Sequence, residues 1–323
     1  MFPGDTARRL ARRMPKPIRA ALRGGYMRYR SVRYRIRERL VPTNLTSEDV
    51  AAALRKCGLG EGDACFVQSA MSAFGRFENG PDTVLAGIQS VVGDRGLVAM
   101  PAYPLARPAI QYLEANAVFD VRQTPSRMGA ISEAFRLMPG TRRSIHPTHS
   151  TCARGIGAEE IVAGHEFSPT PFGESTPFIR IRNRSALQIF FGCGTGAITM
   201  YHSFECTRVP PFPIDVFSDR VMKCRCIDEQ GREIEVRTLV HDPDLHAGRI
   251  DSSVRLQNVY RQAILEAGGA AVKLGRGEII AIRLPMLFDV FEKLLGEGTT
   301  IYDREVPSEL PTLPPQERIR DAR

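Results

Sequence analysis

His202 and Glu205, three residues apart, are the pair best suited to chemistry in this 323-residue chain. On a helix that spacing puts both side chains on one face. A carboxylate beside an imidazole fixes its tautomer and holds its proton affinity up, whereas a helix N-terminus pulls that affinity down. Such opposed influences suit a base that works near neutral pH. From spacing alone, the plainer reading is a surface histidine paired with a helix carboxylate.

Other groups invite chemistry less directly. All six histidines fall between residues 146 and 246. The run His146-Pro147-Thr148-His149-Ser150, after Arg142-Arg143-Ser144, could be half a metal site, a phosphate cluster served by bidentate arginines, or a satisfied loop network. A zinc hydrolase would need a further ligand, for which His202, Glu205 or Asp242 are eligible. The loop Ser69-Ala70-Met71-Ser72-Ala73-Phe74-Gly75 is small and hydroxyl-bearing, and its backbone N–H groups could cradle a diphosphate. It is neither a GxGxxG nor a P-loop motif, so nicotinamide or ATP binding is not indicated. The seven cysteines are odd in number and scattered, which fits a reducing compartment. Cys224 and Cys226 would share a strand face, but no second Cys/His pair completes a zinc set.

The elements that must position these residues alternate between strand-like and helix-like, with Gly- and Pro-rich turns between them. This order predicts an α/β fold, a three-layer sandwich around a central mixed sheet, as one large domain with loop-rich insertions. A helix is expected from Thr46 to near Gly58, a buried strand over Ala64–Ser69, a helix around 82–92 and a strand over 97–103. Residues 104–127 read as irregular, a helix covers about 128–138, and 139–180 is loop-rich with a short helix near 158–163. A buried strand over 187–192 then leads through a glycine turn into the helix that carries His202, where strand carboxyl ends build sites. A hairpin (221–227 and 233–239), a helix near 252–267, strands near 270–275 and 278–284 and a helix near 286–295 complete the domain.

Length and composition place the chain among soluble globular proteins: 43% hydrophobic, 25% charged, with no apolar run long enough for a membrane span. The start of the chain lacks the apolar core of a secretory signal, so a cytoplasmic protein is expected. The net charge of +8 is unevenly placed. Residues 1–40 hold 13 Lys and Arg against two acids, and the remainder is mildly acidic. We therefore divide the chain into a basic arm (1–40), a domain (41–302) and a Pro-rich tail (303–323). The arm could contact an anionic membrane surface peripherally, at about 1 kcal/mol per basic residue, or a second copy in a homodimer, or remain solvated. No nucleic-acid partner is expected, because no stacking platform or recognised motif accompanies the arm.

Taken in order, several motifs resemble the aminoglycoside 3-N-acetyltransferase family: Phe66-Val67-Gln68-Ser69-Ala70, Gly93-Asp94-Arg95-Gly96-Leu97-Val98-Ala99-Met100-Pro101, Arg143-Ser144-Ile145-His146-Pro147, Gly173-Glu174-Ser175-Thr176-Pro177 and Tyr201-His202-Ser203-Phe204-Glu205. The likeness covers roughly residues 45–295. It implies transfer of an acetyl group from acetyl-CoA to an amine of an aminoglycoside or other amino sugar, with no metal. By motif, His202 resembles the family's general base and Glu205 its neighbouring carboxylate, with Asp242 at an acidic substrate-binding position. The loop of Ser69, Ala70, Met71, Ser72 and Gly75 resembles the CoA site, with Arg143, Ser144 and His146 as nearby CoA or structural contacts. Glu114, Asp120, Tyr103 and His165 are further candidates for the amino sugar. Two positions depart from the pattern: Gln68 stands where many relatives have histidine, and Val240 where antibiotic-modifying members tend to have glutamate. These departures and the arm favour a precursor of a surface polysaccharide over an antibiotic. No cysteine is plainly paired with a base, so direct attack without an acyl-enzyme is expected. Two other readings stay open, a metal-dependent hydrolase built on His146, His149 and His202, and a non-catalytic CoA- or sugar-binding relative.

Overall fold

The computed structural model describes residue 25 and residues 44–303 apart from 106, 107, 116 and 197. The basic arm and nearly all of the Pro-rich tail lie outside the described residues. In the 44–303 region the first helix, α1 (Ser47–Lys56), starts where Thr46 and Asp49 form a reciprocal capping box, the side chain of each satisfying the other's amide. It leads into β2 (Ala64–Ser69); a two-residue strand β1 (Asn44–Leu45) precedes it and pairs in parallel with β3 (Arg76–Phe77).

Helix α2 (Pro81–Val92) and strand β4 (Leu97–Pro101) follow, then α3 (Ala109–Glu114), β5 (Phe119–Asp120) and α4 (Ala130–Leu137). Strands β6 (Arg142–Arg143) and β7 (Thr151–Gly155), helices α5 (Ala158–Val162) and α6 (Pro177–Asn183), strand β8 (Leu187–Phe191) and helix α7 (Thr199–Thr207) form the middle of the chain. The rest comprises β9 (Met222–Ile227), β10 (Glu233–Thr238), α8 (Pro243–Ala247), α9 (Val254–Glu266), β11 (Ala270–Leu274), β12 (Gly277–Arg283) and α10 (Leu284–Gly296).

Seven strands make the central sheet in the order β11-β12-β8-β2-β4-β7-β6. Its centre, β8-β2-β4, is parallel, and its flanks are antiparallel. Alternate residues of the buried strands serve the two faces. Val98 and Met100 join a core with α1, α2 and α4, whereas Phe66, Ala99 and Phe190 join the core under α6, α7, α9 and α10. Helices on both faces make the expected three-layer α/β sandwich around a mixed sheet.

The stretch 104–127, expected to be irregular, instead contributes α3 and β5, and β5 joins the β9-β10 hairpin in a second three-stranded sheet. Leu113, Phe119, Met222, Cys226 and Val236 give this insertion its own core. Strands β6 and β7 were also not expected. The Thr-Cys-Ala-Arg-Gly sequence of β7 carries little strand signal, and it is the pairing with β4 that fixes it. Gly155 belongs there because a Cβ would collide with the carbonyl of Gly96, at a backbone φ of 112°. The parallel strands β2, β4 and β8 end together at Ser69, Pro101 and Phe191, so the segments after them share one edge of the sheet.

Candidate active site

Helix α7 starts eight residues after β8 and carries the expected pair. The Nδ1 of His202 lies 2.7 Å from Oε2 of Glu205, whose side chain has no exposure. The same carboxylate oxygen is 3.7 Å from Nε2 of His241, just beyond β10. On the other side of the imidazole, Nη1 of Arg249 sits 3.1 Å from Nε2 of His202, and its Nη2 pairs with Asp251. A guanidinium only donates, so the His202 proton belongs on Nδ1, where it is donated to Glu205.

Burial and the charges of His241 and Arg249 push His202 down to about 3, outweighing the upward pull of Glu205. Burial alone would raise Glu205, but the charge of His202, the hydrogen bond accepted from it and the nearby His241 hold Glu205 below the ordinary carboxylate range. Phe172 forms the apolar wall of the site, its ring centroid 5.2 Å from His202, 5.7 Å from His241 and 4.7 Å from His149. Phe217 stacks on His241 from outside. The donor atoms of His202, Glu205 and His241 lie within 4.8 Å of one another and could hold a metal ion, but the Arg249 guanidinium already stands against His202.

Beside this centre, Tyr103 follows β4 and meets His149 edge-on at 4.7 Å. Gln68, near the end of β2, donates to Thr199 Oγ1 at the start of α7, tying the strand end to the helix that carries His202. Beyond it, Ser69 ends the strand and Met71–Ala73 form a single 3-10 turn. Gly192 lets this loop close on β8: a Cβ there would collide with the Phe74 ring and lie 2.9 Å from the Ala70 carbonyl. Ser69, Ala70 and Met71 are half-buried, Ser72 is exposed and Gly75 is buried.

Several predicted residues are placed elsewhere. His165 is fully buried: Ser144 Oγ donates to Nδ1, Nε2–H donates to the Pro171 carbonyl, and it cannot contact a sugar. His146 stacks on it at 4.5 Å, accepts the amides of Thr148 and His149 at Nδ1 and donates from Nε2 to Thr238. With both nitrogens engaged, it is unsuited to the metal set of His146, His149 and His202, and of the three loop-network readings the satisfied network describes it. Arg143, 5% exposed, donates to Ser150 and to the carbonyls of Ala102, Val121 and Thr124 and lies over Phe119, pinning the 102–127 segment to the sheet. Those are its structural contacts, and a diphosphate cannot reach it.

The acids expected around the amine are also engaged. Asp242 caps α8, accepting the amides of Asp244 and Leu245. Asp120 accepts the amides of Arg122 and Gln123 in its own turn, and Glu114 pairs with Arg220 at 2.8 Å. Val240 is buried in the core of the small sheet. The sequence reading missed His241, Arg249 and Phe172. Nothing in the local spacing marks Arg249 or Phe172, and only the adjacency of His241 to Asp242 could have drawn attention to it.

A doubly covered mixed sheet with an imidazole–carboxylate pair buried on the helix that follows its central strand β8 defines an α/β protein. A family model described as aminoglycoside 3-N-acetyltransferase matches residues 66–296, and the chain belongs to that family. The chain is 28% identical over 180 residues to aminoglycoside N(3)-acetyltransferase VII of Streptomyces paromomycinus, covering 52% of this chain and 62% of that protein. The match thus spans less than two thirds of that relative's length. The crystal structure of aminoglycoside acetyltransferase AAC(3)-Xa has a TM-score of 0.70 at 20% identity, covering 83% of this chain and 98% of that one. The AAC-IIIb structure with CoASH gives 0.65 at 22% identity, covering 83% and 100%. These two likenesses establish the shared fold.

Proposed function

We propose that the chain moves an acetyl, or another short acyl, group from acyl-CoA to an amine of a sugar-like acceptor. The observation that carries this reading is the buried His202–Glu205 pair, in a chain of this family. An amine arrives as an ammonium and must lose a proton before it can attack. Nε2 of His202 accepts that proton, and Glu205 stabilises the imidazolium through Nδ1. The amine nitrogen then forms a bond to the thioester carbonyl carbon, backbone N–H groups steady the oxyanion, and the C–S bond breaks. The leaving thiolate takes that proton back from His202 and the second proton of the attacking nitrogen passes to solvent, giving an amide and CoA. No step needs a metal.

CoA is assigned to the loop of Ser69, Ala70, Met71, Ser72 and Gly75 at the end of β2. Direct attack is favoured over an acyl-enzyme by the cysteines of the site elements: burial pushes Cys193 up to about 12 and holds Cys206 well above its ordinary value. The test is thiol release from acetyl-CoA by the full chain. Release that requires an amine supports the reading. Release of equal rate without one would make the protein a thioesterase instead.

A further inference from the structure

Arg249 is the one cation in contact with the proposed base among the described residues. It lies between α8 and α9, on a stretch tied to the end of the domain by the bridge Arg249 to Tyr302 and by the Ile250 amide on the Ile301 carbonyl. Its guanidinium fills the Nε2 lone pair of His202, the lone pair that must receive the acceptor's proton. For His202 to act, Nη1 must move away. A polycationic acceptor gives it no reason to do so, because an ammonium brought to this spot meets a like charge. The carboxylates that would offset such a charge are engaged, Glu205 with His202, Asp242 at its cap, Asp120 in its turn, Glu114 with Arg220 and Asp251 with Arg249 itself. An anion is a stronger partner for a guanidinium than a neutral imidazole is.

We propose, building on the acetyl-transfer reading, that the acceptor is an anionic amine, one carrying a phosphate or carboxylate on the same sugar as its amino group, and that Arg249 is the receptor for that anion. As the anion docks, Nη1 leaves Nε2, so acceptor recognition and exposure of the base occur together. Once Nε2 is free, it takes the ammonium proton, the nitrogen bonds to the acetyl carbon, and the C–S bond breaks as above. A neutral or polycationic amine leaves Arg249 on His202 and the base masked.

The test compares thiol release from acetyl-CoA with glucosamine 6-phosphate, glucosamine and kanamycin, using the full chain and Arg249→Met. The wild type is expected to favour glucosamine 6-phosphate over glucosamine by about 10²-fold in kcat/KM, with kanamycin below both. Arg249→Met should bring the phosphate preference close to one, by raising KM for the phosphate and by unmasking His202 toward glucosamine, while acetyl-CoA affinity holds. With glucosamine, its acid limb should also move to higher pH. Removing the cation raises the proton affinity of His202, while Glu205, His241 and His149 still act on it and Asp251 and His246 stay beside the substituted position. Arg249→Lys, which keeps the charge but loses the fork, serves if the methionine variant does not fold, and it should lose about tenfold of the preference.

A wild type that prefers kanamycin or glucosamine, or an Arg249→Met variant that slows all three amines equally, overturns this assignment and leaves acetyl transfer standing. Absence of thiol release with every amine, while acetyl-CoA binds, overturns acetyl transfer and this assignment together.

Discussion

Buried imidazoles are the residues whose protonation matters most to this fold. His146, His165 and His202 are buried, and burial holds each below its ordinary value of 6.5, His165 and His202 at about 3. The unfolded chain therefore binds more protons between pH 6.5 and 3, so stability falls as pH drops through that window and levels off below it. Glu205, held at about 2, acts in the same direction at lower pH, its contribution being present above its ordinary 4.5 and lost as pH falls towards 2. The urea midpoint should drop steeply between pH 7 and 4; a flat midpoint there would contradict these placements. The helical spacing made His202 and Glu205 legible in the sequence. His165 and Arg143 were legible only as polar residues, because their roles as buried fasteners depend on carbonyls from Pro171 and from the 102–124 segment, which no local pattern records.

Elements with strong local signals stand where their residues predict. The apolar runs of β2 and β8, the Thr46 cap of α1 and the hairpin of β9 and β10 in register from Met222 to Ile227 all follow from periodicity and turn chemistry. Strands β6 and β7 and the α3-β5 insertion depend on partners far along the chain, and so they escaped it. The loop after β2 depends in turn on Gly192, with φ 74° and no room for a Cβ. Gly192→Ala should displace residues 70–74, lowering stability by about 1–3 kcal/mol and weakening acetyl-CoA binding about tenfold. Urea unfolding with calorimetry measures both, and unchanged acetyl-CoA affinity in a destabilised variant would remove that loop from the cofactor site.

The whole molecule joins a mildly acidic body to an arm whose charge is net +11. No described helix is long and apolar enough to cross a membrane. We propose that the arm holds the protein at an anionic surface, which would bring the domain to lipid-linked or surface-bound precursors. Deleting residues 1–40 should leave acetyl transfer unchanged and abolish binding to vesicles containing anionic lipid, with full-length binding weakening as salt rises. Equal vesicle binding by both chains would rule out the arm as the anchor. The chemistry itself centres on one imidazole, and the most direct measurement is amine-dependent thiol release by His202→Ala beside the wild type, with acetyl-CoA affinity measured in parallel. Turnover should fall by about 10²-fold or more with acetyl-CoA affinity nearly intact; an alanine variant that releases thiol at the wild-type rate would contradict the account.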